Sequence, residues 1–229
     1  MFYIISGFLF GALIPYMARR FSKFMPATMA YALYRLVTPT KKVTKQKRSQ
    51  NGTYQSLMQK YLMRSIGWGV VTSAITLATH LCLPSDYYIA LVWILLLLYE
   101  IDNRMYLLPD ILTIPLLITG FVYASTIRPE TDFIFATPAF YSAVGAAVGY
   151  ILPVLATLVL VKKHPDAFGG GDVKLLSAVG AWIGFYNVPI LILVSTLLFG
   201  FLCIAKRERS GAFGPAIVIA TLMLVFFII

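Results

Sequence analysis

The chain has 229 residues, of which 59% are hydrophobic and only 12% charged. A soluble domain carries about twice that charge fraction, so these residues cannot build a water-facing surface and a membrane protein is expected. A net charge of +10 would point to nucleic acid in a soluble protein; in a membrane protein the partner is lipid, not nucleic acid, and the placement of the charge carries the information.

A spanning helix needs roughly 20 mostly apolar residues. Eight such runs are expected: Met1–Tyr16, Ile66–Leu83, Ser85–Ile101, Ile111–Ile127, Ala139–Val161, Leu175–Tyr186, Val188–Ala205 and Ala212–Ile229. The third and sixth are short or polar at one end. The first has no basic stretch before it and no clean small-residue cleavage site after it, so it reads as a helix rather than a signal peptide. The expected fold is all-α, a polytopic bundle of about eight transmembrane helices, forming one membrane domain over 1–229.

Basic residues collect in cytoplasmic loops. With both termini outside, Arg19, Arg20, Lys23, Arg35, Lys41, Lys42, Lys45, Lys47, Arg48, Lys60 and Arg64 fall in the first inner loop, residues 18–64. Arg104 falls in the second, Lys162, Lys163 and Lys174 in or beside the third, and Lys206, Arg207 and Arg209 in the fourth. Only Arg128 is left outside, so the bias is eighteen to one. The 41–48 stretch reads as a solvated basic surface near anionic headgroups, or as a docking surface for substrate or partner. Cys82 and Cys203 are far apart and fall near opposite faces, and His80 and His164 form no spaced pair, so no metal site is expected. Gly145 with Gly149, and Gly180 with Gly184, are four apart and suit close helix packing.

Of the nine acidic residues, Glu100, Asp102, Asp110 and Asp172 lie at the cytoplasmic ends of expected helices. Asp172 follows Gly169, Gly170 and Gly171, residues that permit positive φ and close backbone approach; it could also cap the helix it precedes. Lys174 belongs near the headgroups or biases Asp172 toward ionisation. Asp110 follows Pro109 and reads equally as a first-turn acid facing the helix dipole. Asp102 sits at a helix C-terminus, where a carboxylate is disfavoured, which makes it the better functional candidate. Two helices and one outer loop separate Asp102 from Asp172, so the topology returns both to one face. A carboxyl pair there could share a proton, one member activating water and the other polarising a carbonyl.

Three segments carry a resemblance. IDNRMYLLPDILTIPLL places one Asp eight positions before a second in a proline-aspartate turn, GGGDVKLLSAVGAWIG contains a G-x-G-D pattern, and FGP occurs at Phe213–Pro215. Together, over about Tyr99–Ile229, they resemble the type IV prepilin leader peptidases, membrane aspartic proteases; FGALIPYMARR at Phe10–Arg20 is a looser match. The resemblance implies an aspartic endopeptidase of the bacterial inner membrane that cuts the leader of prepilins or pilin-like proteins on the cytoplasmic side. It implies Asp102 and Asp172 as the catalytic pair, with Gly169, Gly170, Gly171, Lys174 and Asp110 in support. No cofactor is implied for proteolysis; S-adenosylmethionine enters only if the protein also methylates its product. Longer members carry a cytoplasmic insert with two C-x-x-C pairs, and many of them also methylate; this chain lacks those pairs. Rival readings are a proton-coupled transporter, which would favour a midplane site at broken helices, and a non-catalytic assembly protein of a pilus or secretion system.

Overall fold

A computed structural model describes residues 1–24, 51–126, 137–160, 169–207 and 211–227. Among the described residues there are eight α-helices and no strand. They are α1 (Phe2–Phe24), α2 (Asn51–Cys82), α3 (Tyr87–Met105), α4 (Asp110–Thr126), α5 (Pro138–Leu160), α6 (Gly170–Ile183), α7 (Asn187–Lys206) and α8 (Gly214–Phe227). The eight apolar runs thus correspond to eight helices in order. The ends differ where helical propensity outlasts hydropathy. Helix α1 runs past Tyr16 to Phe24, and α2 begins at Asn51, well before the apolar run. Residues 55–65 are rich in Gln, Leu, Met, Lys and Arg, all good helix formers, with no proline. The described ends of the basic segment are therefore helical; the 41–48 stretch lies outside the described residues.

Four helices contain stretches long and apolar enough to cross a bilayer: Phe2–Phe21, Met58–Cys82, Pro138–Leu158 and Asn187–Ala205. Two shorter apolar helices are Asp110–Thr126 and Gly214–Phe227. On α7, Leu193, Leu197, Phe201 and Ile204 are all exposed. They recur every three or four residues and so form one stripe. A continuous apolar stripe of this kind suits lipid rather than water. The protein is a multi-pass helical membrane protein.

The chain divides into two units, Met1–Arg104 and Met105–Ile229. In the first, α1 packs on α2 through glycines. A Cβ at Gly11 would sit 2.5 Å from the Trp68 carbonyl oxygen, and one at Gly7 2.8 Å from Thr76 Oγ1. Trp93 on α3 stacks on Phe10 at 4.5 Å and donates its indole N–H to Thr76 Oγ1 at 2.9 Å. At the turn between α2 and α3, Asp86 accepts from Tyr3 Oη at 2.8 Å and from His80 Nδ1 at 2.9 Å. The Tyr3 and His80 rings stack at 3.7 Å.

In the second unit α6 is the hub, with its residues from Leu175 to Ile183 almost wholly buried. Helix α5 meets it at the small-residue positions: a Cβ at Gly145 would lie 2.2 Å from the Gly180 carbonyl oxygen, and one at Gly149 2.5 Å from that of Leu176. Backbones this close admit side chain-to-backbone bonds between helices. Ser142 Oγ donates to the Ala181 carbonyl at 2.7 Å and Ser177 Oγ to that of Ala146 at 2.9 Å. Helix α4 joins through Trp182, whose indole donates to the Leu116 carbonyl at 2.9 Å and whose ring stacks on Tyr123. Gly184, at φ 77, ends α6 and returns its N–H to the Gly180 carbonyl, a left-handed position that glycine alone takes without strain. Cys82 and Cys203 are both free thiols.

Candidate active site

Asp172 belongs to the first turn of α6. Gly169 holds the cap position with φ −67 and ψ 142, and Asp172 follows three residues later. It is therefore a first-turn acid facing the positive end of the helix, not the cap residue. The three glycines permit positive φ but do not use it: Gly169 is extended, Gly170 and Gly171 are helical, and Gly184 is the one positive-φ glycine among the described residues. The glycines do provide close approach, but only two of them. A Cβ on Gly169 would lie 2.9 Å from Asp172 Oδ2, and a Cβ on Gly171 3.0 Å from Leu108 Cβ. A Cβ on Gly170 would meet nothing within 4 Å. The G-x-G-D pattern thus has a steric reading. The first glycine leaves room for the carboxylate, the last for the segment leading into α4, and the middle position is open.

That segment brings Asp110 to the same place. Pro109 accepts from the backbone N–H groups of Leu112 and Thr113, and Asp110 opens α4. Lys174 Nζ lies 2.7 Å from each Asp110 carboxylate oxygen. The sequence did not reveal this partner. Residues two apart on a helix project to different sides, so Lys174 reaches α4 from the turn that carries Asp172. Three of the expected supporting positions, Gly171, Lys174 and Asp110, therefore couple the start of α4 to the start of α6.

Asp102 lies in the first unit, in the last turn of α3, and is buried. The helix stops at Met105, and Tyr106 turns left-handed with φ 55. One turn holds a second buried acid, Glu100, whose side chain is 1% exposed. Arg64 on α2 brings Nη2 to 2.8 and 3.0 Å from its two oxygens, and Arg104 brings Nε to 2.5 Å. Nearby, the Arg19 guanidinium lies 3.2 Å from the centre of the Tyr61 ring. The Glu100 cluster was missed from the sequence. The i,i+4 spacing of Glu100 and Arg104 was a usable signal; Arg64, on a different helix, was not. Arg104 Nη2 and Thr113 Oγ1 are buried with no hydrogen-bond partner among the described residues. No group of three or more His, Cys, Asp or Glu side chains that could hold a metal occurs among the described residues.

Curated relatives include three proteins each named "Prepilin leader peptidase/N-methyltransferase". That of Dickeya chrysanthemi is 33% identical over 136 residues, covering 55% of this chain and 45% of the relative. That of Aeromonas salmonicida (strain A449) is 36% identical over 142 residues, covering 57% and 45%. That of Escherichia coli (strain K12) is 34% identical over 135 residues, covering 56% and 57%. The chain spans about half the length of the curated relatives it matches. No solved structure matches the chain at a significant level. A model of the type IV leader peptidase family matches residues 89–204, more than half of the sequence and a stretch that includes Asp102, Asp110 and the glycine-aspartate turn of α6. With the motif residues, their local packing and this match in agreement, the chain belongs to the type IV leader peptidase family.

Proposed function

We propose that the protein is a membrane aspartic endopeptidase that removes the leader of prepilins or pilin-like proteins at the cytoplasmic face of the inner membrane. The observation that carries the reading is the turn at the head of α6. Two of its glycines are there for space, and the space is used by a carboxylate and by the segment that follows the other candidate acid. A helix needing only a cap would have no use for two such clearances.

In the proposed reaction Asp102 and Asp172 act as one dyad. One carboxylate is ionised and takes a proton from water as the water oxygen attacks the scissile carbonyl carbon. The other is protonated and donates to the carbonyl oxygen, giving a neutral tetrahedral diol. Collapse of the diol returns a proton to the departing amine nitrogen, cleaves the C–N bond and restores the shared proton. The division of roles belongs to the pair and not to either residue. Lys174 and Asp110 hold the turn that presents Asp172. The substrate keeps its apolar stalk in the bilayer while its basic leader lies in the cytosol.

The test is incubation of the purified, detergent-solubilised protein with a prepilin, followed by mass spectrometry of the new N-terminus. The reading predicts one cut at the leader junction. The same spectrum, taken with S-adenosylmethionine present, reports a methyl group as an added 14 Da if the product is also methylated. An intact prepilin after prolonged incubation with well-folded protein refutes the assignment.

A further inference from the structure

The Glu100 cluster has no part in the proposed proton transfers, yet it surrounds the turn that carries Asp102. We infer that Arg64, Glu100 and Arg104 form a positioning clamp that fixes the last turn of α3. The inference rests on the reading of Asp102 as a catalytic residue.

A helix C-terminus frays because its last four carbonyls lack intrahelical partners. Here that weakness falls where the chemistry needs a fixed carboxylate: Asp102 is three residues from the end of α3 at Met105. The next residue, Tyr106, is left-handed without being glycine, so the turn is held by its surroundings rather than by its own propensity. Glu100 supplies the hold. Its carboxylate is 1% exposed, and guanidinium groups from two helices converge on it. Arg104 closes the final turn from within, bonding back four residues along α3. Arg64 ties that turn to α2, with Nη2 within hydrogen-bond reach of both Glu100 oxygens. One turn along α2 from Arg64, the Trp68 ring meets Tyr99, the residue before Glu100, edge-on at 5.8 Å, so aromatic packing continues the same seam. Breaking a buried ion pair by removing one partner leaves the other group without compensation, so the Glu100 carboxylate and its two guanidinium partners hold one another in place. Glu100 therefore has one stable arrangement, and the residues on either side of it inherit that arrangement. Asp102 lies between the two ends of the Glu100–Arg104 link, so a turn that opens at Glu100 releases Asp102 as well.

The experiment combines two measurements on the full-length protein in detergent, with Glu100→Gln, Arg64→Gln, Arg64→Lys and the Arg64→Gln/Glu100→Gln double variant. The first is amide hydrogen exchange in peptides covering 99–107 and 171–183. The second is prepilin cleavage, resolved into kcat and KM and normalised to folded protein. The clamp predicts that Glu100→Gln speeds exchange in 99–107 by about tenfold or more and leaves 171–183 unchanged. It predicts kcat lower by about tenfold with KM within twofold, since substrate still binds while the acid is misplaced. Arg64→Gln should show the same two effects and Arg64→Lys smaller ones, because lysine keeps the charge but not the planar guanidinium geometry. The double variant should be no worse than Glu100→Gln, because both substitutions break one link.

Faster exchange without a change in kcat overturns the positioning role and leaves only a structural tie. A lower kcat without faster exchange overturns the clamp. Asp102→Asn, run in parallel, separates this inference from the reading it rests on. If that variant still cleaves, the dyad is wrong, while the exchange result decides the clamp by itself. If Arg64→Gln accumulates too poorly to measure, Arg64→Lys and Glu100→Gln carry the same comparison.

Discussion

Lys174 places its ammonium 2.7 Å from both carboxylate oxygens of Asp110, 64 residues away in sequence. The pair ties the first residue of α4 to the turn of α6 that carries Asp172. Both side chains are partly exposed, at 48% and 31%, so the link contributes at most about 1 kcal/mol to stability. Its effect on function should be larger, because in the proposed reaction the turn it ties down presents Asp172. Asp110→Asn and Lys174→Gln are each expected to lower the prepilin cleavage rate by about tenfold while shifting the thermal midpoint by only a few degrees. A double variant with the same loss as either single would show that they act as one unit.

The three glycines before Asp172 should respond unequally to alanine. Gly170 faces open space and lies in the first turn of a helix, so Gly170→Ala should keep activity and gain up to about 0.5–1 kcal/mol. Gly169→Ala drives a methyl against the Asp172 carboxylate, and Gly171→Ala drives one against Leu108. Gly169→Ala, which displaces the carboxylate itself, should lower cleavage by about a hundredfold, and Gly171→Ala, where Leu108 must give by a few tenths of an ångström, by about tenfold, both measured at equal protein levels. Equal losses at all three positions would contradict the steric reading of the motif.

A different pair of glycines governs folding. Gly145 and Gly180 face each other so closely that a Cβ on either would lie within 2.2 or 2.3 Å of the other's carbonyl oxygen. Neither backbone can yield cheaply, so Gly145→Ala or Gly180→Ala should destabilise by about 3 kcal/mol. Loss of accumulated membrane protein, read by immunoblot, checks this. The specific activity of whatever folds should remain normal.

Asp86 provides a pH-dependent contribution. The hydrogen bond from His80, then that from Tyr3, holds its carboxyl below the ordinary 3.8 in the folded protein. Through acid pH the unfolded chain therefore takes up a proton before the folded one does. The resulting stability is complete above about pH 5 and drains away as pH falls through the lowered folded value. Asp86→Asn should lower the thermal midpoint at neutral pH and flatten its fall in acid. Thermal unfolding in detergent across that range tests both effects.

Much of the architecture was legible because hydropathy is a strong signal. Eight apolar runs became eight helices, and Pro109 with Asp110 marked the start of α4. Helix ends were less visible where amphiphilic residues continue a helix beyond the apolar run, as at the start of α2. At Asp172 the residue types were legible, but their conformation was not. Three glycines permit positive φ, whereas here two are selected for missing side chains. Lys174–Asp110 and Arg64–Glu100 were hidden for a simpler reason. Each joins residues on different helices, and only packing decides which polar groups meet.

The catalytic assignment is tested most directly by prepilin cleavage with Asp102→Asn and Asp172→Asn, each purified from membranes at wild-type yield. Each substitution leaves side-chain volume nearly unchanged and removes the ability to exchange a proton. The dyad predicts that each single variant cuts at least about a thousandfold more slowly while showing the thermal midpoint of a folded protein. Cleavage near the wild-type rate in either variant would contradict the account.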